Sequence, residues 1–160
     1  MKSRTTRFLR PTLTGILAAA LFWAGPASAA TTRVDDSGTI VSQGLVPMRW
    51  KQLVPGRGAD NSVEASVRVG LRLNLARWLN RPVRLYMALA PATGEPIYAN
   101  WRTQGRLMPG ALRSGGRVLV FEGVATVASL EETLDLTLRT DGRALTSQQS
   151  LQFYFEVDTP

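Results

Sequence analysis

From Val63 to Leu75 every odd-numbered residue is apolar (Val63, Ala65, Val67, Val69, Leu71, Leu73, Leu75), and the residues between them are Glu64, Ser66, Arg68, Gly70, Arg72 and Asn74. Successive side chains of an extended backbone point to opposite sides, so this alternation puts one set into a core and the other into water. Wound as a helix, the same residues would scatter around the whole circumference. The segment is read as a strand of an antiparallel sheet with one wet face. Its length predicts a bend or bulge near Gly70.

The same period returns along the chain. After the break at Asn80-Arg81-Pro82, Val83, Leu85, Met87 and Leu89 face one way and Arg84, Tyr86 and Ala88 the other. Pro91-Ala92-Thr93-Gly94-Glu95-Pro96 is turn chemistry, because proline fixes φ and removes a donor while glycine reaches conformations closed to other residues. Ile97, Ala99, Trp101 and Thr103 then alternate with Tyr98, Asn100 and Arg102. Pro109-Gly110 and Gly115-Gly116 bracket a short segment around Leu112, followed by an apolar strand from Arg117 to Phe121 that Glu122-Gly123 ends. Leu134, Leu136 and Leu138 face inward against Asp135, Thr137 and Arg139, and Thr140-Asp141-Gly142-Arg143 predicts a hairpin. A closing strand carries Leu151, Phe153, Phe155 and Val157 on one face and Gln152, Tyr154 and Glu156 on the other. One helical turn is expected where Ser129 precedes Glu132 by three residues, the spacing of a capping box. The predicted fold is all-β, an immunoglobulin-like or Greek-key β-sandwich of about seven or eight antiparallel strands, with a small closed barrel as the alternative.

The N-terminus carries Lys2, Arg4, Arg7 and Arg10 ahead of an apolar stretch from Leu13 to Ala24, and then Pro26 and the small-residue triplet Ala27-Ser28-Ala29. This is the layout of a cleaved signal peptide, and its apolar run is too short for the roughly 30 Å of a bilayer core. The expected organisation is a signal peptide over 1–29, an arm over 30–61 and a β-sandwich domain over 62–160, with a periplasmic or extracellular location and no membrane span after cleavage. Cleavage takes away four of the 19 basic residues and none of the 12 acidic ones. The remaining basic side chains are interspersed with acids, which argues against nucleic acid as a partner.

The chain has no His and no Cys. It therefore lacks the side chains of a Ser-His-Asp or Cys-His nucleophile, the usual zinc ligands and a disulfide. A pair of carboxylates is the enzyme constellation left open. None of the acids sits in a recognisable motif, most fall at turns or on wet strand faces, and Asp141 and Asp35-Asp36 lack the calcium-loop pattern. The expectation is a non-catalytic protein without cofactor or metal.

Two features point to binding instead. Arg68, Arg72, Arg84 and Arg102, with Tyr86 and Tyr98, project from outward strand positions and form a candidate face for a sugar or an envelope partner, through stacking and bidentate hydrogen bonds. The alternative is an ordinary solvated surface. Trp50, Trp78 and Trp101 are assigned to core or rim packing. The arm carries a β-prone run from Thr39 to Val46, in which Thr39, Val41, Leu45 and Val46 are the candidate strand-exchange residues. Such a segment either completes a neighbouring subunit's sheet or serves as the domain's own first strand.

The leader, the strand-competent arm ending in Leu45-Val46, the absence of cysteine and the final alternating strand Leu151-Gln152-Phe153-Tyr154-Phe155-Glu156-Val157 together resemble the layout of bacterial chaperone–usher pilus subunits. Gln43 and Gly44 interrupt the apolar alternation of a donor strand. The resemblance implies an incomplete immunoglobulin fold, filled by a periplasmic chaperone and then by the next subunit, and a structural or adhesive role in a surface fibre. Its partners would be other protein subunits or the chaperone, engaged through sheet edges.

Overall fold

A computed structural model describes residues 30–53, 57–145 and 151–159, so the expected leader lies outside the described residues. The strands are β1 (Ala30–Arg33), β2 (Ile40–Val41), β3 (Arg49–Trp50), β4 (Ser62–Asn74), β5 (Pro82–Leu89), β6 (Tyr98–Thr103), β7 (Gly110–Arg113), β8 (Arg117–Val124), β9 (Ser129–Asp141) and β10 (Phe153–Thr159). They form two antiparallel sheets, one ordered β1-β10-β5-β8 and the other β2-β4-β9-β6-β7, with β3 also paired to β4. Past β4 the chain crosses from sheet to sheet at almost every connection, and among the described strands β3 and β4, and β6 and β7, are the consecutive strands paired with each other.

The inward set read from alternation is the core. Leu73, Leu85 and Val157 are fully buried, and Met87, Leu89, Val83, Val120 and Val34 are nearly so. Trp78 and Trp101 join the same cluster, whereas Trp50 remains substantially exposed. Trp101 satisfies its indole N–H by donating to the Met108 carbonyl at 2.9 Å, which lets a polar ring atom sit inside. The break after Trp78 is made by Asn80 at φ 61°, a left-handed conformation that asparagine tolerates better than most residues.

Three expectations are corrected. Gly70 carries no bulge, since β4 and β9 pair without interruption from Ser62–Asp141 to Asn74–Ser129; the register shift lies in the β5–β8 pair, between Leu85 and Tyr86, where β8 has Val120 in excess. No helical turn forms at Ser129, which begins β9. Glu132 instead takes the hydroxyl of Thr103 at 2.7 Å and the backbone N–H groups of Arg106 and Leu107, so it pins a loop and caps no helix. The hairpin expected at Thr140 to Arg143 is absent. β9 is flanked on both sides by β4 and β6 and has no free edge, so the chain passes through a 3-10 turn over Gly142–Ala144 and β10 enters the other sheet between β1 and β5.

The arm is built into both sheets of its own chain. β1 covers the outer edge of β10, Val34 enters the core, and β2 and β3 lie along β4.

Candidate functional site

The outward residues of the two sheets behave differently, and the difference is electrostatic. On the four-stranded sheet, Arg84 donates to Glu122 at 2.8 Å, and Arg117 reaches both Glu156 and Asp158 at 2.7 Å. Arg117 also lies 3.6 Å from the centre of the Tyr86 ring, and Arg33 lies 5.0 Å from that of Tyr154. Thr31 donates its hydroxyl to Asp158 at 2.7 Å. Burial by itself would raise the Asp158 pKa; the hydrogen bonds from Thr31 and Arg117 overcome that and hold it below the usual carboxylate value. This face is closed on itself, with each of its cations taken up by a carboxylate or a ring.

The outer face of the six-stranded sheet is open. Its strand register lays residues out in rows running across the strands. One row reads Arg49, Glu64, Arg139, Tyr98, Arg113, over β3, β4, β9, β6 and β7. The next reads Ser66, Thr137, Asn100, Ala111, and the one after that Arg68, Asp135, Arg102. The small polar middle row is the floor of a shallow groove of about 1040 Å³, bounded by Arg68, Asp135 and Arg102 and reaching Gln43 and Pro109 at its ends. A hollow of about 380 Å³ beside it lies among Tyr98, Arg113 and Arg139, and another of about 350 Å³ lies among Val46, Arg49 and Glu64.

Two arginines of this face are neutralised, Arg68 by Asp135 at 2.7 Å and Arg72 by Glu131 at 3.2 Å. The Arg68 pKa is raised by its bond to Asp135, as befits a held pair. Arg49, Arg102, Arg113 and Arg139 have no carboxylate partner among the described residues. Tyr98 stands between Arg139 and Arg113 with 45% of its surface exposed, so an aromatic ring is presented between two uncommitted guanidinium groups.

The six residues of the expected face therefore divide. Arg68, Arg72, Tyr98 and Arg102 lie on the six-stranded sheet, while Arg84 and Tyr86 belong to β5 on the opposite side of the sandwich. Arg49, Arg113 and Arg139 were not singled out by sequence reasoning. Outward parity was legible for Arg139; what was missing was the cross-strand neighbour that sets it beside Tyr98.

Three of the four expected exchange residues contact their own chain. Thr39 accepts the Arg72 N–H at 3.1 Å, Val41 pairs with Val69, and Val46 is half-buried against the core. Leu45 is exposed, as are Ile40 and Val41. Among the acids, Asp141 is held at about 2 by hydrogen bonds from the Arg143 side chain and backbone, and Asp60 at about 2 by hydrogen bonding from Ser62 and Lys51. Such carboxylates stay ionised and are poor proton donors near neutral pH. Among the described residues no helix is long and apolar enough to cross a membrane.

Compared with protein-family models, with curated proteins and with solved structures, the chain finds no match.

Proposed function

We propose that this chain is a self-contained, non-catalytic binding module working outside the cytoplasm, which holds a glycan or an envelope partner on the outer face of its six-stranded sheet. The observation that carries the reading is the contrast between the two outer faces. One has its arginines committed to acids and rings; the other keeps Arg49, Arg102, Arg113 and Arg139, without carboxylate partners among the described residues, around an exposed tyrosine and a polar groove. Arginines left unpaired beside a concave polar surface are suited to bidentate recognition of acidic groups and to stacking. The leader supports the location.

The test uses the chain from Ala30 onward and cell envelopes of the producing organism as the probe. Binding that weakens in Tyr98→Ala and Arg139→Ala, with Arg84→Ala as the opposite-face control, is expected. Binding that is equal in all three variants removes the reading.

A second reading, the pilus subunit that assembles by strand addition, draws support from one observation. Ile40 and Val41 are exposed on β2 at the edge of β4, Leu45 is exposed in the loop that follows, and β2 and β3 cover only two residues each. An edge so thinly covered is open to a further strand. The mass of the same chain in solution separates the two, since strand addition requires concentration-dependent oligomers and the binding module does not.

A further inference from the structure

The row Arg49, Glu64, Arg139, Tyr98, Arg113 crosses the sheet at right angles to the strands. Neighbouring strands are about 4.8 Å apart, so the bases of Arg139 and Arg113 are separated by about 10 Å with the Tyr98 ring between them, and those of Arg49 and Arg139 by a similar amount. Glu64, the acid of the row, lies 3.9 Å from the Lys51 ammonium, which it shares with Asp60 at 3.2 Å, and three arginines outnumber it along the row. Three arginines are thus rooted at even intervals along a line of about 19 Å across the sheet. Arg102 guards the far side of the groove.

We propose that the ligand is an acidic polysaccharide lying across the strands, with its carboxylates on alternate sugars. Two linked sugars have a length comparable to the spacing of the arginines, so successive acidic groups meet Arg49, Arg139 and Arg113 in turn. The uncharged sugar between two acidic groups then falls over Tyr98, whose ring offers the flat apolar surface on which a pyranose stacks. The small side chains of Ser66, Thr137 and Asn100 leave room for the chain and offer hydroxyl and amide groups to its hydroxyls. Charge complementarity selects this occupant. A neutral glycan would leave the guanidinium groups partnered by water alone, and duplex nucleic acid, with a charge at every residue and about 3.4 Å of axial rise between them on each strand, does not match an interval of about 10 Å. The inference rests on the binding function proposed above and names its ligand class.

The experiment measures binding of the chain from Ala30 onward to four polymers: hyaluronan, with a carboxylate on alternate sugars; polygalacturonate, with one on every sugar; its methyl ester; and dextran. Hyaluronan is expected to bind best, to weaken as salt rises, and to lose about tenfold in affinity in Arg139→Ala, Arg113→Ala and Tyr98→Ala each. The Arg84→Ala control should bind as the parent does. Equal binding of hyaluronan and dextran, lost in Tyr98→Ala alone, would overturn the acidic ligand and leave the face intact. Binding by none of the four polymers would overturn the ligand class, and the face would then stand or fall by the envelope experiment. Hyaluronan binding unchanged in all three face variants would overturn both.

Discussion

Arg117 of β8 lies with its guanidinium 3.6 Å from the centre of the Tyr86 ring on the adjacent β5, while the same group reaches across β5 to bridge Glu156 and Asp158 on β10. Each partner fixes a different part of the side chain: the ring its plane, the two carboxylates its edges. Lysine is a point charge on a flexible stem and cannot satisfy three such demands together. Arg117→Lys should therefore cost close to what Arg117→Ala costs, about 1 to 2 kcal/mol in a partly exposed site. Urea midpoints, with the slope unchanged, are the measurement. Polysaccharide binding should be unaffected, because Arg117 lies on the opposite face.

Acid should loosen the same sheet. The Asp158 pKa is depressed in the folded protein, so its contribution is fully present above its unfolded value near 3.8 and is lost as pH falls through the lower folded value. Thr31 of β1 and Arg117 of β8 both bond this carboxylate, so protonation releases the first strand as well as the network. Stability curves measured from pH 6 to pH 2 should run closer together for the parent and Asp158→Asn as pH drops below 4. A difference that stays constant over that range would show that the carboxylate contributes nothing through its charge.

Alternation along β4 was readable because a strand with one wet face imposes period two on its own sequence, and Val63 to Leu75 obeys it against an observed Ser62–Asn74. The same rule located β5, β6 and β10 to within a residue or two. It says which residues share a side of one strand, but not which strands share a sheet. Arg84 and Arg68 look alike in sequence and lie on opposite sides of the sandwich, because β5 pairs with β8 and β10 whereas β4 pairs with β9. Tyr98 gains its two arginine neighbours only through pairings with residues 41 positions ahead and 15 positions ahead in the chain, Arg139 and Arg113. Local rules fail for the same reason at Ser129. A capping spacing is satisfied there, yet a long-range ladder with β4 outweighs one local hydrogen bond.

Removing the arm should break the domain. β1 shields β10, and Val34, only 2% exposed, fills the core between the sheets. A chain beginning at Gly58 loses both, leaving the alternating edge of β10 unpaired and a cavity above it, so aggregation is expected. A peptide covering residues 30–46 should restore solubility in trans. Val34→Ala in the full chain isolates the plug from the strand and should cost about 2 kcal/mol, read by thermal or urea unfolding. A soluble, cooperatively unfolding chain from Gly58 would mean that the arm is an appendage.

The groove has one wall that a single methyl group should disturb. Gly110 pairs with Trp101, and a Cβ added there would come within 2.8 Å of the indole ring atom Cζ2. The ring cannot swing freely, because its N–H is held by the Met108 carbonyl and its body is packed in the core. Gly110→Ala must therefore push β7 away from β6 or break the indole bond, at about 1 to 3 kcal/mol. Moving β7 also moves Arg113 away from Tyr98, so polysaccharide affinity should fall together with stability. Trp101→Phe gives up the indole hydrogen bond but leaves Gly110 clear, and should lower stability with a smaller effect on binding. The ratio of the two effects in the paired variants, from unfolding midpoints and hyaluronan affinities on the same preparations, tells whether the placement of β7 sets the ligand row. Equal ratios would mean that it does not.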